Sequence, residues 1–133
     1  MFDPKTKILV IDDMLTMRKV VSKCCRDLGF SDITEAPNGE EAWTKIQEAN
    51  PPFQLIISDW NMPKLSGVEL LKKVRADARF SKTPFVLVTA ESEKEQVVEA
   101  IKAGVTNYVT KPFTVDTLRE KLEAAHKKSA AAA

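Results

Sequence analysis

Three aspartates, a lysine and a threonine stand where the apolar runs of this chain end. "KILVI" runs into Asp12 and Asp13, "LIIS" into Asp59, "NYVT" into Lys111 and Pro112, and "FVLVT" closes on Thr89. One acidic strand end means little, because loops are polar. Four strands delivering polar groups at their carboxyl ends point to a ligand site, since that edge is where open α/β sheets bind. If the first and third strands are neighbours, Asp12, Asp13 and Asp59 crowd together. Two unit charges about 4 Å apart repel by on the order of 4 kcal/mol at an effective dielectric of roughly 20. A single lysine leaves that cluster negative, an imbalance a divalent cation cancels. The donors are oxygens, with no His or Cys cluster, so the cation is a hard one and Mg²⁺ fits best. A carboxylate beside Mg²⁺ and a lysine is also a nucleophile for phosphoryl transfer. Asp59 attacks phosphorus in this reading, and Mg²⁺, Lys111 and the Thr89 hydroxyl hold the three phosphoryl oxygens.

The elements that must position these groups are legible from periodicity. Five short β-rich segments (7–11, 32–36, 55–58, 85–89 and 107–110) alternate with five segments of helical spacing. Four of the strands are too continuously apolar to have a wet face, as expected when helices cover both sides of a parallel sheet. The second is polar and suits an edge. Met17, Val20, Val21, Cys24 and Leu28 make the first helical stripe, stopped by Gly29. Asn38 is the expected N-cap of the second helix, with Trp43 and Ile46 inward and Pro51–Pro52 ending it. Val68, Leu70, Leu71 and Val74 mark the third helix. Val97, Val98 and Ile101 mark the fourth, closed by Gly104, and Leu118, Leu122 and Ala125 mark the fifth. Five βα units with right-handed crossovers imply an α/β, doubly wound (βα)5 parallel sheet with helices on both faces.

The 133 residues fit one domain, 1–128, with a low-complexity tail at 129–133. Twenty basic residues against 19 acidic give a formal net charge of +1, no footprint for nucleic acid. No apolar run approaches the ~20 residues of a membrane helix, and the N-terminus lacks the pattern of a signal peptide. Cys24 and Cys25, adjacent in a helical pattern, suit no ordinary disulfide and read as one core-facing thiol and a bystander. A cytoplasmic monomer is expected.

These residues resemble the receiver domain of two-component response regulators over about residues 5 to 128. The acidic pair, the central Asp, the Thr followed by Ala90, and Lys-Pro come in that family's chain order. Within it, "IDDMLTMRKVV", "SDWNMPKLSGVELL", "LVTAESEKE" and "NYVTKPFT" look most like stand-alone chemotaxis regulators of the CheY type. The strand order 2-1-3-4-5 is carried over from that resemblance, CheY being a standard example of it. The resemblance further implies that Asp59 accepts phosphate from a histidine kinase. It implies that Asp13, Asp59 and the Asn61 backbone carbonyl bind Mg²⁺ directly while Asp12 acts through water, that Thr89 and Tyr108 form a switch, and that Lys111–Pro112 is cis. Output falls to the face of the fourth helix, fifth strand and fifth helix, including Lys94, Tyr108 and Lys121. The flagellar motor switch is the implied partner, with a separate phosphatase as a further one and a phosphorelay or non-motility target as the alternative. The chain would catalyse only its own phosphorylation and dephosphorylation. Two departures touch loops: Ser66 stands where many members have Asp, and Asn38 replaces a commonly acidic residue.

Bland readings compete at other positions. Trp60 is expected partly exposed at the pocket rim, Trp43 in the core, and Met14, Met17 and Met62 as packing or rim residues. His126 is expected on a solvated face, and Glu91 beside the pocket. Two other functions use related chemistry. An aspartate-dependent phosphatase of the haloacid dehalogenase type places its nucleophile after the first strand in a D-x-D pattern, whereas this chain has D-D-M and no cap domain. A flavodoxin-like FMN carrier is disfavoured by an acidic, glycine-free first loop.

Overall fold

The computed structural model describes residues 2–90 and 94–132. Strands β1 (Ile8–Ile11), β2 (Ile33–Ala36), β3 (Leu55–Asp59), β4 (Phe85–Ala90) and β5 (Asn107–Lys111) alternate with helices α1 (Leu15–Asp27), α2 (Gly39–Glu48), α3 (Gly67–Ala76), α4 (Lys94–Lys102) and α5 (Val115–Ala132). The strands form one parallel sheet in the order β2-β1-β3-β4-β5, with polar β2 at an edge as its composition demands. The fifth helix continues to Ala132, through the alanine-rich stretch.

Side chains alternate across the sheet, and that alternation divides the core in two. Leu9, Ile11, Ile56, Phe85 and Leu87 pack with α2, α3 and α4, where Ala42, Ile46, Val68, Leu70, Leu71, Val74 and Ala100 meet them. Ile8, Val10, Leu55, Ile57, Val86, Val88 and Val109 pack on the other side with Val21, Cys25, Leu118, Leu122 and Ala125 of α1 and α5. Each fully buried aliphatic side chain contributes about 1.5–3 kcal/mol. At the edge away from the strand carboxyl ends, Arg75 ties three elements together. Its guanidinium donates to the carbonyls of Gly104 (2.8 Å) and Thr83 (2.7 Å) and to Thr106 Oγ1 (3.2 Å).

Helix ends follow local chemistry. Asn38 caps α2 by accepting from the Glu41 N–H at 2.9 Å. Ser66 and Glu69 close a reciprocal capping box at the start of α3. Gly29 and Gly104 follow α1 and α4 at φ +103° and +90°, a conformation that suits glycine.

Four expectations fail in informative ways. Val20 is exposed, and the inward stripe of α1 is instead Val21, Cys24, Cys25 and Leu28. Both cysteines are therefore buried, with no bystander. Val98 and Ile101 are 51% and 61% exposed, because α4 meets the sheet through small Ala100, with Ala103 beside it. His126 is not free in solvent but packs edge-on against Phe2, ring centroids 4.9 Å apart. Among the described residues no helix is long and apolar enough to cross a membrane.

Burial pushes the Cys25 thiol up to about 12 and raises that of Cys24 as well. At pH 8 the thiolate of Cys25 is about one part in ten thousand, and thiolate is the reactive species. The folded protein should therefore leave a thiol reagent such as Ellman's untouched for minutes and consume two equivalents on unfolding. Rapid consumption of either equivalent by the folded protein would contradict this packing.

Candidate functional site

Register brings the strand ends level. Ile11 pairs with Ser58, so Asp12, the next residue, sits beside Asp59 at the end of β3. Asp59 pairs with Val88, Thr89 with Thr110, and Ala90 with Lys111. One carboxylate oxygen from each of Asp12, Asp13 and Asp59 lies within 4.8 Å of those of the other two. Lys111 Nζ lies 2.9 Å from Asp59 Oδ1 and 3.9 Å from Asp12 Oδ2. Asp12 and Asp59 are buried, while Asp13 is exposed and opens the cluster to solvent.

Burial raises the Asp59 carboxyl above its usual range, although Lys111 and the Trp60 N–H favour its ionised form. Burial likewise raises Asp12, helped by repulsion from Asp59 and Asp13 and opposed by the Met14 N–H and Lys111. The Met14 N–H donates to Asp12 Oδ1 at 2.9 Å, which leaves Oδ2 turned toward Lys111. This donor set fits a hard dication. Three carboxylates gathered within reach of one small ion share a single ammonium, and burial already disfavours the charged forms of Asp12 and Asp59. Such an ion would be held by Asp12, Asp13 and Asp59, and it would supply neutralisation of phosphoryl charge.

The loop carrying Asp59 is pinned by close packing. The Trp60 N–H donates to the Val88 carbonyl at 3.1 Å, and the Gly67 N–H to the Trp60 carbonyl at 2.9 Å. A Cβ on Gly67 would strike the Asp59 carbonyl, and one on Gly39 would strike the Leu65 carbonyl. Both helix starts therefore require glycine for close approach of backbone. Between them Lys64 takes φ +71°, a left-handed conformation rare for lysine.

The expected residues are largely brought together. Thr89 is 1% exposed, and its Oγ1 has no hydrogen-bond partner among the described residues. By alternation Thr89 shares a face with Leu87, the residue Tyr108 pairs with, on the α4 side of the sheet. Tyr108 is half-buried, with Lys121 Nζ 5.2 Å from its ring centroid. Lys94 is exposed at the start of α4, and Asn61 is exposed after Trp60. The Lys111–Pro112 bond is cis, as is Asn50–Pro51. Glu91 lies outside the described residues.

Trp60 corrects its expectation. It is 6% exposed and belongs to the core on the α2–α4 side, its main chain tied to β4 at Val88 and to the start of α3 at Gly67. Trp43 is half-buried against the same core. Met14 is exposed, and Met62 packs on that core.

Two further contributors, Arg18 and Glu35, fall outside the residues singled out from the sequence. Arg18 donates to the Asp12 carbonyl at 2.8 Å and to Glu35 Oε1 at 3.0 Å. The signal available was an arginine in the first turn of a helix with no acid there, against the helix dipole. Its partner on another strand left no local trace.

Comparison with known proteins adds an independent line. Residues 8–123 match the profile of the family described as response regulator receiver domain. Chemotaxis protein CheY1 of Helicobacter pylori is 48% identical over 117 residues, 88% of this chain and 94% of that protein. Chemotaxis protein CheY of Pseudomonas aeruginosa is 45% identical over the same share of this chain and 93% of its own length. Among solved structures, chemotaxis response regulator CheY4 of Vibrio cholerae superposes with a TM-score of 0.82 at 36% identity, covering 91% of this chain and 98% of that one. The receiver domain of a sensor histidine kinase from Pseudomonas aeruginosa, described with a magnesium ion coordinated in its active-site cleft, shares the fold at 24% identity, with a TM-score of 0.79 over 90% of this chain and 95% of that one.

The raised carboxyls fix the sign of a stability effect. A carboxyl raised above 3.8 by folding contributes stability below that pH, and the contribution is lost as pH climbs through the folded value. At neutral pH ionised Asp59 therefore destabilises the fold. In EDTA at pH 7, Asp59→Asn should melt above the wild type, with the gap closing as the pH falls through the carboxyl range. Thermal melts showing an equal or lower midpoint for the variant at pH 7 would refute this.

Proposed function

From the premise that this chain belongs to the response regulator receiver domain family, we propose that Asp59 is its phosphoacceptor and that the phosphorylated chain signals through the α4–β5–α5 face. It is a CheY-type chemotaxis response regulator, a signalling protein and not a true enzyme. The observation that carries the reading of the site is the convergence of three carboxylates and Lys111 on one sheet edge, with Asp59 at its centre.

The chemistry follows from the geometry. Lys111 holds Asp59 Oδ1 at 2.9 Å. The carboxylate forms the new oxygen–phosphorus bond as the phosphorus–nitrogen bond of a kinase phosphohistidine breaks and the imidazole leaves. Lys111 turns to the incoming phosphoryl oxygens, and the unpartnered Thr89 hydroxyl has a donor to offer them. Mg²⁺ would be held by Asp13, Asp59 and the Asn61 carbonyl, with Asp12 acting through water, as the family resemblance implies, and it would supply charge neutralisation; the magnesium of the Pseudomonas receiver supports that choice. Remaining catalysis is positioning, as phosphoryl transfer requires.

Output rests on Thr89 and Tyr108. A phosphoryl group brings roughly −2 charge and strong acceptors. Drawing Thr89 toward it vacates space on the α4 side of the sheet, where Tyr108 packs. Lys94, Tyr108 and Lys121 then present an altered surface beside exposed Val98 and Ile101. A flagellar motor switch protein is the target that fits relatives named for chemotaxis.

Acetyl phosphate with Mg²⁺ should label wild-type protein at Asp59 alone, as an acyl phosphate labile to hydroxylamine. Asp59→Asn keeps the shape and should lose essentially all labelling by mass spectrometry; undiminished labelling would remove Asp59 from the role.

A second measurement isolates the switch. Thr89→Ala retains nucleophile and lysine and should accept phosphate. Phosphorylation should raise wild-type affinity for a motor-switch peptide by about 5–150-fold, the usual span of a coupling free energy. Titrations with Thr89→Ala should show a gain of less than about threefold. Equal gains for the two proteins would exclude Thr89 as the coupling element.

A further inference from the structure

Arg18 breaks a local rule. It occupies the first turn of α1, where the helix dipole disfavours a cation, and that turn carries no acid and no side-chain cap. Yet its side chain is 14% exposed and engaged at two points. One hydrogen bond runs to the Asp12 carbonyl at 2.8 Å and another to Glu35 Oε1 at 3.0 Å. Glu35 sits on β2 opposite Val10 of β1, on the α1 side of the sheet, and its second oxygen is held by Lys19 at 3.0 Å. The Asp12 main chain is thus gripped from both sides. Its N–H donates to the Ala36 carbonyl at 3.2 Å, and its carbonyl accepts from Arg18. With Oδ1 occupied by the Met14 N–H, these bonds leave Oδ2 as the atom turned toward Lys111 and the cluster.

We propose that Arg18, oriented by Glu35, is a positioning residue for the cation site, fixing the Asp12 main chain so that its free carboxylate oxygen faces the bound ion. The proposal rests on the reading of the acidic cluster as an Mg²⁺ site. A planar guanidinium suits this task because it bridges a carbonyl and a carboxylate in fixed directions, which an ammonium cannot. Groups that orient metal-binding carboxylates from behind typically change affinity by about 10–100-fold when removed.

The sign of the effect separates positioning from charge. If Arg18 acts only as a nearby cation, deleting it reduces repulsion and tightens Mg²⁺ binding. If it positions Asp12, deleting it weakens binding. Calorimetric titration with Mg²⁺ at pH 7 should show Arg18→Ala weaker than wild type by about tenfold. Arg18→Lys, which keeps the charge and the helix, should be weaker by several-fold, as should Glu35→Gln. Lys19→Ala, which touches Glu35 but not Asp12, should bind within twofold of wild type or tighter. With acetyl phosphate, the Mg²⁺ concentration for half-maximal labelling should rise in the Arg18 variants while the rate at saturating Mg²⁺ stays within about threefold. Melting curves establish that each variant is folded, and Arg18→Lys decides the matter if Arg18→Ala is not. Unchanged or tighter Mg²⁺ binding in a folded Arg18 variant overturns the proposal. A wild type that binds no Mg²⁺ overturns instead the reading of the cluster on which it rests.

Discussion

Everything in this molecule is arranged around a repulsion. Asp12, Asp13 and Asp59 are held with oxygens within 4.8 Å of one another, two of them buried, against the single ammonium of Lys111. No chain relaxes into such a cluster; it has to be imposed. The imposition comes from the parallel register of β1 and β3, which is itself fixed by apolar side chains packed on both faces of the sheet. Hydrophobic burial outweighs the repulsion, so the core dictates where the charges go. The surplus negative charge left at the edge is then available to a cation.

The Asp59 and Thr89 side chains lie on different sides of the same sheet. Asp59 has the parity of Ile57, toward α1 and α5, and Thr89 has the parity of Leu87, toward α3 and α4. The two residues nevertheless stand at the ends of neighbouring strands, β3 and β4. Among the described residues the buried Thr89 hydroxyl has no hydrogen-bond partner, an exception to the rule that buried polar groups are paired.

The sequence revealed the strands, the alternation of elements and the convergence at the sheet edge because each leaves a local trace. A strand that ends on a carboxylate is visible in five residues. The parity of α4 was not visible. Val98 and Ile101 look like core residues, but Ala100 lets the helix lie close and takes the inward position. Trp60 defied its polar neighbours because the turn that buries it depends on Gly67 meeting the Asp59 carbonyl, a contact between backbones. Arg18 and Glu35 are separated by 17 positions, and Phe2 and His126 by nearly the whole chain. Pairs of that kind become legible only after the fold is known.

The contrast between the pinned β3–α3 loop and the loosely seated α4 has a consequence for engineering and for natural divergence. Positions 39 and 67 admit nothing larger than hydrogen, and the segment they clamp begins at Asp59. Val98 and Ile101 lie largely exposed and outside both core clusters, so packing constrains their identities only lightly. A lineage, or a designer, therefore has room to rewrite the outer surface of α4 while leaving the acidic cluster and its glycine clamp untouched.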